Sequence, residues 1–277
     1  MLTQFYIDDL IKTAITEDIN YLDVTTDYLI DETSETEAYY IAKDSGVVCG
    51  LDIALRVFTL LDDTVTFEKF KKDGDEVSKG DIIATMKGKT RALLKGERTS
   101  LNLLQHMSGI ATATRRCVKL TEGTRASIAE TRKTLPGLRP IQKYAVMVGG
   151  GRNHRYNLSD AAMLKDNHID AFGGIIPAVQ ALRARVGHLL KIEVEVRNFE
   201  ELNQALEAKA DVIMLDNMTC EQMAQAVKHV NGRARLEASG NITLDNLAEV
   251  AKTGVDIISM GALTHSVKAF DISMRIK

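Results

Sequence analysis

Six short apolar runs recur through the second half of the chain, each ending in charged or small polar residues. They are ASIAET (126–131), AAMLKD (161–166), KIEVEV (191–196), DVIMLD (211–216), RLEASG (235–240) and DIISMG (256–261). Helical spacing fills the intervals. Ile141, Tyr144, Ala145 and Val148 fall on one face, as do Ile176, Val179, Leu182 and Val186, with Pro177 in the first turn. Asn198 with Glu201, and Thr219 with Gln222, have the spacing of capping boxes, and Gly232 and Gly254 suit helix ends. Strand then helix, six times over, requires a parallel sheet with helical crossovers. A doubly wound open sheet and a barrel both satisfy that rule. KIEVEV favours the barrel. Glu193 and Glu195 share one face of the strand, with Ile192, Val194 and Val196 on the other. A sheet covered by helices on both sides has no place for a row of carboxylates, whereas the open mouth of a barrel does. With six units the barrel is incomplete.

The first hundred or so residues follow another rule. TEAYYIAKDSGVVCG (36–50) and residues 64–94 carry strand patterns, with turns at Asp73–Gly74, Lys79–Gly80 and Lys87–Gly88. They describe a small antiparallel domain. A helix over roughly 96–120 follows, its stripe built on Leu101, Leu104, Met107 and Ala111. Residues near the C-terminal end alternate weakly, as a strand returning to the first domain would.

Composition narrows the function. Of 277 residues, 45% are apolar and 26% charged, an ordered globular balance. A net charge of −3 argues against a general nucleic-acid binder, and the absence of tryptophan argues against stacked single strands. Cys49, Cys117 and Cys220 lack metal-ligand spacing and read as free thiols. The segment MLTQFYIDDL lacks a signal-peptide layout, and no apolar run is long enough to span a bilayer. The expectation is a soluble, cytoplasmic protein.

Against that acidic background, residues 125–168 carry five positive charges in excess. Arg132 and Lys133 follow the first strand and Lys165 ends the second, where barrels place their sites. Arginine forks take carboxylates and lysine supplies a point charge, so a compact polyanion is implied. Glu195, Asp216 and Glu237 lie on the next three strands. Such carboxylates gathered in one mouth need a cation, and Mg²⁺ bridged to substrate phosphates is the natural one. Each could instead pair with a neighbouring lysine. ASGNI (238–242) and SMGAL (259–263) end the last strands in small residues, a phosphate-binding pattern, with a helix N-terminus expected after the first. VGGGRNHRYNLSD (148–160) has the look of a nucleotide loop. Its glycines, however, follow a helix and precede a strand, so they read as a helix stop and a close turn.

In order along the chain, GERTSLNLLQHMSGIAT (96–112), ETRKTLPGLR (130–139), GGGRNHRYNLSD (149–160), LKDNHI (164–169), EVEV (193–196), MLDN (214–217), EASGNI (237–242) and GALTHS (261–266) resemble the motifs of the quinolinate phosphoribosyltransferases, the carboxylating nicotinate-nucleotide pyrophosphorylases of the type II phosphoribosyltransferase family. The resemblance spans nearly the whole chain. It implies an N-terminal α/β sandwich domain over residues 1–107, joined by 267–277, and an incomplete (β/α) barrel over 108–266. It also implies transfer of phosphoribosyl from PRPP to quinolinate, with loss of the 2-carboxylate as CO₂, release of pyrophosphate, and formation of nicotinate mononucleotide. By the same resemblance Thr131, Arg132, Lys133, His154, Arg155 and Lys165 bind quinolinate, and Lys133 and Lys165 also lie near the phosphates. Glu195 and Asp216 face the ribose and a Mg²⁺ held largely through substrate and water. Ser239, Gly240, Asn241, Gly261 and Ala262 hold phosphate. The family forms dimers or multiples of dimers, in which Arg98 completes the neighbouring subunit's site.

Three other readings are carried forward. Lys165 at a strand end could be the amine of a Schiff-base aldolase. KKDGDEVSKGDIIATMKGK (71–89) is similar to the hairpins of biotinyl or lipoyl carrier domains, with Lys87 either the modified residue or a plain turn lysine. A molybdenum-transport-associated paralogue of the same fold would act on another aromatic acid, and nicotinate is a further substrate to exclude.

Overall fold

The structure, a computed structural model, describes residues 2–277. It opens with α1 (Gln4–Asp18) and α2 (Val24–Leu29), capped by the side chains of Thr3 and Asp23. There follow β1 (Glu35–Ala42), β2 (Gly46–Val47), α3 (Leu51–Leu61), β3 (Thr66–Lys69), β4 (Glu76–Val77) and β5 (Ile82–Lys89), then the long α4 (Thr90–Leu120). Next come β6 (Ser127–Ala129), α5 (Arg139–Val148), β7 (Ala162–Leu164), α6 (Asp166–Phe172), α7 (Ile175–Arg183), β8 (Ile192–Val196), α8 (Phe199–Glu207) and β9 (Val212–Asp216). The last elements are α9 (Cys220–Val230), β10 (Arg235–Ser239), α10 (Leu247–Lys252), β11 (Ile257–Ser259), α11 (Ala262–His265) and β12 (Ile272–Ile276). No helix among the described residues is long and apolar enough to cross a membrane.

These elements form two compact units. The first holds the chain up to Arg115 together with Pro136–Gly150 and Ser266–Lys277. Its main sheet is antiparallel, in the order β12-β1-β5-β3, so the C-terminal strand does return to β1. Alternation along β1 turns Ala38, Tyr40 and Ala42 inward, where Phe58 of α3 and Leu93 and Leu104 of α4 meet them. The Tyr40 hydroxyl donates to Ser100 Oγ at 2.8 Å, which satisfies the one polar atom this large buried ring brings into the core. Lys87 lies within β5, opposite Glu37 and Thr66, and not at a turn, so the carrier-domain reading fails on geometry.

α5 forms where the helical spacing predicts it but belongs to this first unit, not to the barrel segment. The triple glycine ends it. The Gly149 N–H returns to the Ala145 carbonyl, and Gly150 takes φ +96°. A Cβ on Gly149 would stand 2.6 Å from the Ala111 carbonyl oxygen, so a side chain there would separate α4 from the end of α5.

The second unit comprises Arg116–Leu135 and Gly151–His265. All six expected strands are present, parallel and in the order β6-β11-β10-β9-β8-β7. From β7 to β11 each strand neighbours its successor, and β11 then pairs with β6, the first. First beside last is the signature of a ring, whereas a doubly wound sheet reverses direction near its middle. The ring is an incomplete (β/α) barrel, since no ladder joins β6 to β7 among the described residues. Arg152 makes a single bridge to Ala129.

Helix ends in this unit follow local chemistry. Thr219 and Gln222 form the expected box at α9. At α8 the Asn198 side chain accepts the Glu201 N–H, while Glu201 reaches one residue further back, to the Arg197 N–H. α9 ends on Asn231 at its C-cap (φ +45°), and Gly232 (φ +76°) follows at C′, the position expected for it. α6 was not foreseen. Its polar sequence carries little periodicity, and its start is fixed by His168 Nδ1, which accepts the Lys165 N–H at 3.2 Å.

Candidate active site

Parallel strands in one ring present all their C-terminal ends on one rim. Glu130 to Lys133 follow β6, Lys165 follows β7, Glu195 is the last residue but one of β8, Asp216 ends β9, Ser239 ends β10, and Gly261 and Ala262 follow β11. Ladder register sets neighbours directly, with Ser239 opposite Asp216 and Leu164 opposite Val194. The rim therefore gathers residues far apart in sequence.

Its basic side is built on the turn after β6 and the segment after Arg152. Thr131 Oγ1 accepts the Lys133 N–H at 3.0 Å and shapes the turn. Thr264 Oγ1 donates to the Lys133 carbonyl at 2.8 Å, tying that turn to α11. Arg132 Nε is buried without a hydrogen-bond partner. The Arg155 guanidinium donates to the Ala161 carbonyl at 3.1 Å and contacts Met163 Sδ at 3.5 Å; neither is an anion. Burial first, and then the nearby Arg132 charge, lower the pKa of Arg155. Two half-buried guanidinium groups that repel one another, one with an orphaned N–H, form a receptor for carboxylate.

The opposite side is acidic. Lys165 Nζ lies 3.5 Å from Glu195 Oε2, so one of these carboxylates does have a lysine partner. Burial raises the Glu195 pKa; Lys165 opposes this and the Asp216 charge adds to it. Asp216 accepts from Asn217 Nδ2 at 2.9 Å. Two carboxylates close enough to repel, with one lysine beside Glu195, suit a divalent cation by donor type and charge.

The small-residue loops lie between these sides. Gly240 (φ +92°) and Asn241 (φ +53°) both take left-handed backbone, and a Cβ on Gly240 would come within 2.3 Å of Asn217 Oδ1. Asn241 Nδ2 donates to that same oxygen at 2.9 Å. The helix expected after ASGNI begins only at Leu247, because residues 241–246 form a turn in which Asn246 bonds back to the Asn241 carbonyl. It is the second loop that opens a helix at once, with α11 starting at Ala262. A Cβ on Gly261 would meet Lys133 Cδ at 2.9 Å, so the lysine lies across the loop because position 261 is glycine.

The His154 ring is held among carboxylates. It points into the barrel, with Nε2 3.2 Å from Glu193 Oε2 and 3.5 Å from Glu237 Oε1. The backbone N–H of His154 donates to Glu130 Oε1 at 2.9 Å. Glu130, Glu193 and Glu237 are 0%, 5% and 1% exposed, so Glu237 is an interior group rather than one of the mouth. The sequence reading missed this inner cluster as a unit. Its signal was present in the alternation of KIEVEV, whose first glutamate sits one pleat deeper than Glu195. Arg98 is an exposed residue of α4 in the first unit, with no side-chain hydrogen bond or ion pair among the described residues.

Residues 23–108 match the model of the quinolinate phosphoribosyl transferase N-terminal domain, and residues 110–275 that of its C-terminal domain. The chain belongs to the quinolinate phosphoribosyltransferase family. A relative from Bacillus subtilis, described as a probable nicotinate-nucleotide pyrophosphorylase (carboxylating), is 46% identical over 267 residues, 96% of this chain and 92% of its own. The nicotinate-nucleotide pyrophosphorylase (carboxylating) of Mycobacterium leprae is 42% identical, with 96% of this chain and 95% of the relative aligned. The crystal structure of NadC from Streptococcus pyogenes superposes with a TM-score of 0.97 at 44% identity, over 100% of this chain and 98% of that one. The family's two-part organisation and its parallel barrel are those of the fold described above.

Proposed function

We propose that the protein is a carboxylating nicotinate-nucleotide pyrophosphorylase, a pentosyltransferase that moves the phosphoribosyl group of PRPP onto the ring nitrogen of quinolinate. Pyrophosphate leaves, the 2-carboxylate departs as CO₂, and nicotinate mononucleotide is the product. The observation that carries this reading is the pair Arg132 and Arg155, two neighbouring guanidinium groups on the rim of a barrel that make no ion pair among the described residues, Arg155 feeling only the charge of Glu193 from within. A dicarboxylate answers both, and fixing it aims the ring nitrogen at the ribose carbon, a positioning contribution to rate.

Each remaining residue takes a role from its place. Thr131 shapes the turn, and Lys133, lying across Gly261, reaches both a carboxylate and a phosphate. Ser239, Gly240, Asn241, Gly261 and Ala262 cradle phosphate with exposed backbone N–H groups. Glu195 and Asp216 stand where positive charge grows on the ribose as pyrophosphate departs, and stabilise it electrostatically. Glu195 and Asp216 are the residues that would hold Mg²⁺ near the substrate, and the ion would supply positive charge to offset that on the leaving pyrophosphate. Lys165 holds Glu195 in place and presents its charge to the acid. His154 lies behind these groups as part of the acid subsite. Decarboxylation asks little of the protein, because the positive ring nitrogen stabilises the carbanion that CO₂ leaves at the adjacent C2, and a proton from water then completes the C2–H bond of the product.

We place Arg98 of one subunit in the site of its neighbour, in a dimer or a multiple of dimers, on the strength of its exposure and lack of a partner. The aldolase reading has no support from Lys165, whose side chain is 47% exposed and ion-paired, where a Schiff-base lysine works as a desolvated neutral amine.

The test is direct. The protein is incubated with PRPP, Mg²⁺ and either quinolinate or nicotinate. Mononucleotide and CO₂ are expected from quinolinate alone. Turnover of nicotinate, or mononucleotide formed from quinolinate without CO₂, would overturn the assignment.

A further inference from the structure

Behind the arginine pair lies the inner cluster on which the reaction makes no evident demand. Glu193 of β8, Glu237 of β10 and Glu130 just beyond β6 come from alternate strands of the ring and converge on His154. Glu193 Oε1 and Glu237 Oε1 are buried and lack hydrogen-bond partners, so the carboxylates are not there for one another's stability. Three ligand atoms this close would serve a metal ion by distance alone. The imidazole decides otherwise. The backbone N–H of Arg155 donates to His154 Nδ1 at 2.7 Å. That nitrogen therefore holds a lone pair, and the ring proton resides on Nε2, facing Glu193 and Glu237. A metal on Nε2 would force the proton onto Nδ1, against the Arg155 N–H. Burial lowers the His154 pKa, and the Glu193 hydrogen bond with the charges of Glu237 and Glu130 outweighs it and raises the pKa, but the imidazolium so favoured would meet the same obstacle at Nδ1. The bond is short and a backbone donor between two anchored residues cannot turn away, so the lone pair prevails.

The Arg155 backbone is thus fixed by a ring that is itself fixed from inside the barrel. We propose that Glu193 and Glu237 are positioning residues for the acid subsite: Glu193 Oε2 accepts the Nε2–H of His154, Glu237 Oε1 faces the same nitrogen from 3.5 Å, and the ring so held sets the direction in which the Arg155 guanidinium is presented. The inference rests on the function proposed above and adds to it a buried device that selects for the dicarboxylate.

Two measurements test it, both conditional on wild-type enzyme that turns over quinolinate with PRPP; absence of that turnover would refute the function and not this device. The first is a double-mutant cycle. Glu193→Leu is expected to raise the KM for quinolinate by roughly tenfold with little change in the KM for PRPP, and Glu193→Gln, which keeps an acceptor oxygen, to restore it to within about threefold. In an Arg155→Ala background, Glu193→Leu is expected to add almost nothing, because its effect runs through that side chain. Additive effects, or equal changes in both KM values, would overturn the proposal. The second needs no variant to fold. Nitrogen NMR of the ¹⁵N-histidine-labelled enzyme is expected to show His154 as the neutral Nε2–H tautomer; the Nδ1–H tautomer or an imidazolium at neutral pH would overturn it.

Discussion

At the residue scale the site is a contest between charges that lack partners. Arg132 presents a buried N–H with nothing to receive it, a condition that an arriving carboxylate relieves. Arg132→Ala is expected to raise the quinolinate KM by about 100-fold, from a charge-assisted contact of roughly 2–3 kcal/mol, while thermal unfolding stays within a few degrees of wild type. Unchanged kinetics for quinolinate would misplace the acid pocket. Glu237 offers a pH test. Burial, then the charge of Glu193, raise it from its ordinary value of 4.5 to about 7. The native state therefore keeps a proton that the unfolded chain releases. Its stabilising effect is complete below about 4.5 and is lost as pH rises through about 7. Glu237→Gln removes that dependence, so its melting temperature relative to wild type is expected to climb between pH 5 and 7.5. A constant difference across that range would mean that Glu237 is ionised throughout. Arg132, Lys133 and Asp216 were legible in the sequence because a residue at a strand end has one evident destination. The inward turn of His154 was not, because side-chain direction in a loop depends on a backbone bond to the next residue and on carboxylates from other strands.

At the scale of elements, the six strands were legible because period-two apolar runs bounded by small residues survive any choice of neighbours. KIEVEV also pointed to the ring, and the pairing of β11 with β6 agrees. What the pattern could not convey was ownership. The helix on Ile141, Tyr144 and Val148 has its apolar stripe in full view, yet the stripe does not say which sheet it serves, and it serves the first unit. Helix starts without the usual cap residues were equally hidden, as α6, held by His168, and the late beginning of α10 show. The end of α5 makes its own prediction. Gly149 has ordinary helical dihedrals, so alanine there is not strained by backbone. Its Cβ would nevertheless lie 2.6 Å from both the Ala111 carbonyl and Thr114 Cβ. Gly149→Ala is expected to cost about 1–3 kcal/mol in denaturant unfolding, through displaced helices. A neutral result would show that α4 and α5 can part at no cost.

For the whole molecule, a subunit whose site borrows Arg98 from its neighbour is expected to complement. Arg98→Ala and Asp216→Ala, each inactive alone, should recover about a quarter of wild-type activity after random subunit exchange, since mixed dimers form half the population and carry one intact site each. No recovery after exchange verified by mass would assign Arg98 to its own subunit. The path of the chain has a further consequence. It crosses between the units after Arg115, Leu135, Gly150 and His265, and β1 waits for β12 as its partner. A ribosome releases the chain from its N-terminal end, so the strand that finishes the first sheet is made after every strand of the barrel. The early segment must persist with an open sheet edge while some 230 further residues are synthesised, which at about 5–20 residues per second is an interval of ten seconds or more. An unpaired edge is a template for other chains. The most vulnerable moment for this protein therefore comes during its manufacture, and its exposure to self-association depends on translation speed more than on final stability.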